Sequence, residues 1–360
     1  MTAPVSSPDL GAPDGALAGT SQVVTVTLNP AIDQTVRVAT LVPGEVLRAL
    51  GQQSEAGGKG VGVAAVLAAL GVPVAAGGWL GADNAGLFEA AFARRGIADR
   101  MLRLPGSTRT NIKLAVADRG DTTDINLPGL GLDAPALAAA EEALAARLDT
   151  LLRPGDWCEL AGSLPPGADS ATWLRLAHRV QARGARLVID TGGAVLGELL
   201  QALRAPGGPG VAFVKPNRAE LEELSGRALP TLADVADAAV ALQRSGVERV
   251  VVSLGGDGAV IVGDGGAWQA RPPAVTVATT VGAGDALVAG TLAALVGGRV
   301  FPEAAVFGMA CAAARIQRIA PDLPPRAEID ALATRITVQP LPAAPTDAPQ
   351  DARKETPWPT

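Results

Sequence analysis

Short runs of β-branched and apolar residues alternate along this chain with longer stretches in which apolar positions recur every three or four residues. The runs 23–28, 74–78, 157–161, 186–190, 211–214 and 250–254 read as strands. Between them, 134–152, 171–183, 233–244 and 302–319 carry helical spacing. Strand and helix taking turns predicts an α/β fold: a parallel sheet sandwiched between helices, three layers in all. Two segments, 34–55 and 108–127, break the rhythm with alternating β-type residues, many charges and no helix. They predict a small separate β-sheet that covers a site as a lid. Residues 1–21 and 338–360 are rich in Pro, Ala and Asp without periodicity, which predicts disordered tails around one domain at 22–337. No internal repeat is visible.

Composition narrows the function. With 360 residues and 48% hydrophobic content the chain can fill a large core, and with 3% aromatics and no tyrosine that core rests on Ala, Val and Leu. So few aromatics leave no stacking platform for bases, and a net charge of −6 gives no basic face, so no nucleic-acid partner is expected. Cys158 and Cys311 lie in apolar segments, as buried reduced thiols do, pointing to a reducing compartment. The N-terminus lacks the basic and apolar regions of a signal peptide, and the apolar stretch 286–296 is shorter than the roughly 20 residues that span a bilayer. These features predict a cytoplasmic enzyme without a membrane partner. His178, the only histidine, falls in a helical pattern away from every motif and is assigned no catalytic role.

Two glycine clusters carry the chemistry. Thr279, Thr280, Val281, Gly282, Ala283, Gly284 and Asp285 precede the apolar, helix-forming stretch 287–296. Gly282 and Gly284 permit a tight turn that leaves amides uncovered, and with the helix dipole these would hold an anion such as a transferring phosphoryl group. Asp285, in the first turn, would accept the proton of an attacking hydroxyl. The same residues also fit a plain glycine turn in which Asp285 only caps the helix. The second cluster, Gly57, Gly58, Lys59, Gly60 and Gly62, also enters a helical pattern. It is not a Walker A loop, because Gly60 follows the lysine where Ser or Thr is required. It is not a dinucleotide fingerprint either, because the preceding residues 51–55 are polar and read as no strand.

The order of motifs resembles the PfkB group of ribokinase-like sugar kinases, within it most closely the 1-phosphofructokinases. The matching segments are 25–33 (Asn29, Pro30, Ala31 and Asp33 among them), 43–46, 57–60, 108–113, 123–126, 162–167, 214–221, 252–258 and 282–285, spread over about residues 22–335. The resemblance implies a ribokinase-like α/β/α sandwich with a β lid, and transfer of phosphate from ATP to the 6-hydroxyl of fructose 1-phosphate. It implies that Asp33 binds sugar hydroxyls, where an Asx turn after Pro30 is the bland alternative. Arg48, Lys59, Arg109 and Lys113, with Gly57, Gly58 and Ser163, would hold the sugar phosphate. The amides of Gly282, Ala283 and Gly284 would form the anion hole, and Asp285 would be the base. Lys215, Asn217, Gly284 and the loop Ser253, Leu254, Gly255, Gly256, Asp257 and Gly258 would line ATP. Glu220, and secondarily Asp190, would hold Mg2+ through water; first-turn helix capping explains Glu220 as well. A homodimer formed through the lid is also implied.

The chain departs from the family pattern at Leu47 and Gly62, where asparagines are common. Restoring the amide by Gly62→Asn is therefore expected to tighten sugar-phosphate binding by about 1 kcal/mol. Tagatose 6-phosphate and fructose 6-phosphate remain alternative acceptors, and a catalytically weak sugar-phosphate-binding regulator is the alternative of another class.

Overall fold

The run Val23–Thr27 (β1) is β-branched at each position and buried at all five, the mark of a strand covered on both faces. The computed structural model describes residues 22–118, 121–203, 210–263, 265–320 and 322–342. After β1 the chain forms β2 (Ala31–Val38), β3 (Ala49–Gly57), α1 (Lys59–Ala69), β4 (Val74–Gly81), α2 (Gly86–Arg95), β5 (Ala98–Leu104), β6 (Arg109–Val116) and β7 (Asp121–Ile125). It continues through α3 (Ala134–Leu151), β8 (Trp157–Ala161), α4 (Ser170–Ala182), β9 (Arg186–Asp190), α5 (Gly193–Leu203), β10 (Phe213–Val214), α6 (Arg218–Ser225) and α7 (Leu232–Arg244). The last elements are β11 (Val250–Ser253), β12 (Ala259–Gly263), β13 (Gly266–Arg271), α8 (Ala283–Val296), α9 (Phe301–Ile316), α10 (Arg326–Ala333) and β14 (Thr337–Pro340).

Ten strands make the main sheet in the order β14-β13-β12-β11-β10-β9-β8-β1-β4-β5. Pairing is parallel from β5 to β11 and antiparallel from β11 to β14. Side chains alternate between two cores. Val23 and Trp157 face the layer of α1, α2, α8, α9 and α10, while Val24, Val26 and Leu160 face that of α3 to α7. This is the three-layer arrangement read from the sequence. The second sheet, ordered β3-β2-β6-β7, is the small separate sheet expected from the two charged segments, and its strands β3 and β7 are mostly exposed.

Three sequence readings are corrected. Residues 338–340, assigned to a tail, belong to β14, which pairs antiparallel with β13 (Val338 opposite Ala270). An open sheet edge supplies the ladder, a partner that local composition does not reveal; residues 1–21 and 343–360 lie outside the described residues. A strand does precede the glycine cluster 57–62: β3 leads into it, and six of its residues are exposed without apolar alternation, so the sequence carries no strand signal there. β3 is an antiparallel lid strand, so the dinucleotide context is still missing. Finally, β5 is absent from the strands the sequence pattern predicts, because Asp99, Arg100 and Arg103 mask an edge strand.

Candidate active site

The carboxyl ends of β1, β8, β9 and β10 and the start of α8 bring the glycine clusters together. Four helices begin on side-chain caps, Asp133 for α3, Asp169 for α4, Asn217 for α6 and Thr231 for α7. α8, like α1, α2, α9 and α10, has none, and its N-cap is Gly282 at φ +78°, a conformation that favours glycine. Among the described residues the amides of Gly282, Gly284 and Asp285 have no hydrogen-bond partner, whereas Ala283 N turns back to Thr280 O at 3.4 Å. The open set is therefore displaced from the expected Gly282, Ala283 and Gly284 towards Asp285. With the helix dipole behind them, these amides offer an anion site.

Asp285 stands beside them, half-buried. Burial pushes its carboxyl up to about 7, with Asp190 adding to the rise and Lys59 and Lys215 opposing it. Asp190, 3% exposed at the end of β9, draws in both lysines: Lys59 Nζ lies 3.1 Å and Lys215 Nζ 3.9 Å from Oδ1. Lys59 is thus held by the buried Asp190 carboxylate. Lys215 also reaches α8, where a Cβ on Gly284 would lie 3.5 Å from its Nζ. Beneath them Glu159 of β8 is wholly buried and neither carboxyl oxygen has a partner. Burial, then the charges of Asp190 and Asp285, hold its acid well above the usual range, so it stays protonated. Sequence reasoning missed Glu159; a lone acid inside the strand Trp157–Ala161 was its signal.

On the opposite side Asp33 of β2 lies in register with Asn111 of β6 and Glu55 of β3. Asn111 Nδ2 donates to Asp33 Oδ1 at 3.1 Å. Burial raises the Asp33 carboxyl, while Asn111, Lys113 and Arg109 pull it back. Arg109, Asn111 and Lys113 alternate onto one face of β6. Arg109 donates to the carbonyls of Asn29 (3.1 Å), Leu127 (3.1 Å) and Pro30 (3.4 Å), and Lys113 pairs with Asp124 at 3.7 Å. Ser163 Oγ accepts from Asn29 Nδ2 at 3.1 Å, and Asn29 Oδ1 is buried without a partner. Arg48 is not brought in: it stands exposed in the β2–β3 connection, outside the lining of the cavity.

A cavity of about 640 Å³ joins the two sides, lined among others by Asp33, Gly57, Gly58, Gly62, Asp285 and Arg315. Gly62 does not open sugar space there. A Cβ on it would overlap Asp285 Oδ2 and lie 3.2 Å from Cγ. Crowding therefore opposes the expected gain from Gly62→Asn, because the volume an added side chain would need already holds the Asp285 carboxylate.

The remaining motif residues gather beyond Lys215. Asn217 and Glu220 form a reciprocal capping box, Asn217 N donating to Glu220 Oε2 at 2.8 Å and Glu220 N to Asn217 Oδ1 at 2.9 Å. Ser253 N donates to Pro216 O at 3.0 Å, which seats the 253–258 loop beside this helix start. Leu254 N donates to Gly258 O at 2.8 Å, and Gly255, Gly256 and Asp257 form an exposed turn. Among the described residues no three metal-binding side chains cluster. Asp190 Oδ2 is buried without a partner, Glu220 Oε1 has no hydrogen bond among the described residues, and a Cβ on Gly192 would come within 2.9 Å of Glu220 Oε1. Such a sparse oxygen set fits Mg2+, which keeps several waters. No helix among the described residues is long and apolar enough to cross a membrane.

Known proteins resemble this chain in sequence and fold. The family described as pfkB family carbohydrate kinase matches residues 26–327. The 1-phosphofructokinase of Xanthomonas campestris pv. campestris is 48% identical over 274 residues, 76% of this chain and 84% of the relative. That of Rhodobacter capsulatus is 44% identical over 324 residues, 90% and 99% of the two chains. The phosphofructokinase-2 structure from Escherichia coli superposes with a TM-score of 0.79 at 28% identity, covering 87% of this chain and 98% of the other. With its ribokinase-like α/β fold and lid, the chain belongs to the pfkB family of carbohydrate kinases.

Proposed function

We propose that this kinase transfers the γ-phosphoryl group of ATP to the 6-hydroxyl of fructose 1-phosphate, giving fructose 1,6-bisphosphate and ADP. The observation that carries the chemistry is Asp285, a carboxyl raised to about 7 beside the open amides of α8 and in one cavity with Asp33. The 1-phosphofructokinase relatives support the choice of sugar phosphate.

The sugar oxygen attacks the γ-phosphorus as the bond to the β-phosphate oxygen breaks, and ADP leaves with that electron pair. Asp285 takes the hydroxyl proton. A carboxyl that titrates near neutrality is matched to that step. The open amides and Lys215 stabilise charge on the transferred group, so positioning and charge neutralisation carry most of the rate. Asp33, fixed by Asn111, orients the sugar, and Arg109, Lys113 and Ser163 hold its phosphate. Mg2+, held through water by Glu220 and Asp190, would neutralise ATP phosphate charge. Closure of the lid excludes water. Val46, Leu50, Ile125 and Leu127 leave apolar surface exposed on or beside the lid strands, which supports a homodimer through this sheet. Free, buried Cys158 and Cys311 support a cytoplasmic setting.

A coupled assay of ADP release with fructose 1-phosphate, fructose 6-phosphate and tagatose 6-phosphate tests this reading. The first is expected to give the highest kcat/KM. A higher value for either other sugar would reassign the substrate, and binding without turnover for all three would favour a regulator.

A further inference from the structure

Among the arginines that line the cavity, Arg315 is the one that lies against the turn opening α8, and it has no part in that chemistry. Arg315, in the last turn of α9, is only 7% exposed, and among the described residues no carboxylate lies within ion-pair distance of it. Its Nη1 donates instead to the carbonyls of Arg318 (2.7 Å) and Ala320 (3.2 Å). These bonds fix the guanidinium plane and leave Nε and Nη2 without hydrogen bonds among the described residues. The side chain lies against the turn that opens α8: a Cβ on Gly282 would sit 3.2 Å from Nε. The next residue grips the same turn, Ile316 O accepting from Ala278 N (2.8 Å) and Thr279 N (3.1 Å). Burying a guanidinium without a counter-ion is unfavourable, so its place beside an anion site calls for a reason.

We propose that Arg315 is a positioning residue of the phosphoryl-transfer site, bracing the 279–282 turn from behind and setting a fixed positive charge beside the open amides of α8. The inference rests on the kinase reading above. A guanidinium stays charged across the working pH range, and in a water-poor site its field adds to that of the helix dipole. That field acts on the carboxylates of Glu55 from β3, Asp285 from α8 and Asp322, in that order. The charged or titratable groups around Asp285 are Asp190 from β9, Lys59 from α1, Lys215 following β10, Asp33 from β2, Glu159 from β8 and Arg315 from α9. Deleting the Arg315 charge leaves fewer cations among them, so ionising Asp285 becomes harder.

Steady-state kinetics of the wild-type protein, Arg315→Met and Arg315→Lys, with fructose 1-phosphate and ATP across pH 5–9, test this. Arg315→Met is expected to lower kcat by about 10- to 100-fold, to change either KM by less than about threefold, and to move the acid limb of kcat to higher pH. Arg315→Lys keeps the charge, so its acid limb should stay near that of the wild type. A folded Arg315→Met with wild-type kcat and acid limb would overturn the proposal. If Arg315→Met fails to fold, as judged by thermal unfolding, the lysine variant decides: an unmoved acid limb supports the proposal and an upward shift overturns it. A wild-type protein that releases no ADP with any hexose phosphate would sink the kinase reading and this inference together. Active wild type with insensitive Arg315 variants sinks only the inference.

Discussion

Replacing Gly62 with alanine separates folding from catalysis at this site. The added methyl would overlap Asp285 Oδ2 and lie 3.2 Å from Cγ and 3.4 Å from Cβ. Gly62 is inside α1 and does not have a positive φ, so the backbone accepts alanine and gains about 1 kcal/mol of helix propensity. The crowded atom is the end of a rotatable side chain, so the carboxylate yields before the helices do. Leaving its rotamer well costs about 0.5–1.5 kcal/mol, which nearly cancels the helix gain. Stability should therefore change by no more than about 1 kcal/mol, or about 3 °C in Tm.

Catalysis has no such compensation. The carboxylate must retreat by about 1 Å, and a misplacement of that size costs about 100-fold in rate, close to 2.7 kcal/mol of activation free energy. Coupled ADP release and thermal unfolding on the same preparation measure both effects, and KM for ATP should hold. Gly62→Asn should act in the same direction. A folded Gly62→Ala protein with wild-type kcat would refute the reasoning, because the base would then not need the space that glycine leaves.

Asp285→Asn should lower kcat by about two to four orders of magnitude with little change in nucleotide affinity, and near-wild-type turnover would remove its role as base. Because Asp285 must be ionised to accept a proton, kcat of the wild-type protein should rise with pH through about 7; a profile flat from pH 5 to 8 contradicts this. Glu159→Gln should stabilise the fold increasingly above pH 4.5, the ordinary value of a glutamic acid, because the native state keeps this acid protonated while the unfolded chain ionises it. Wild-type stability then falls by about 1.4 kcal/mol per pH unit relative to the variant until the buried acid ionises, and urea midpoints that run parallel with pH would contradict it. Arg109→Met should raise KM for the sugar phosphate far more than KM for ATP, and equal effects on both would count against a place on the sugar side.

Much of the fold was legible because its strands are short, apolar and separated by helices of clear period. β1 and β8 are buried at every position, so burial and sequence pattern coincide. The lid was legible for the opposite reason, since charged alternating residues cannot lie in a two-sided core. β14 and β5 were missed because edge strands take their identity from a neighbouring ladder, not from their own composition. The glycine turn at Gly282 was visible because a local backbone demand selects glycine. The Lys59–Asp190 pair was not, because its partners lie 131 residues apart and meet only after the sheet is built. Gly62 shows the limit of reading a position against a family pattern. One dimension suggests a missing contact, and three show an occupied volume.

The same pairing of distant charges bears on how the proposed phosphate site would take up ATP. Asp190 and Asp285 lie among Lys59, Lys215 and Arg315, and Asp33 beside Lys113 and Arg109, while Glu159 is kept neutral by burial. These cations already face carboxylates of the chain itself. ATP brings further negative charge among them, where it would oppose ionisation of Asp285. Capture of that charge by the open α8 amides is a partial remedy, because a helix terminus offers only about half a unit. A divalent ion arriving with the nucleotide, as proposed above, would supply positive charge to the phosphates, and Glu220 Oε1 and Asp190 Oδ2 are the carboxylate oxygens left without a hydrogen bond on that side among the described residues.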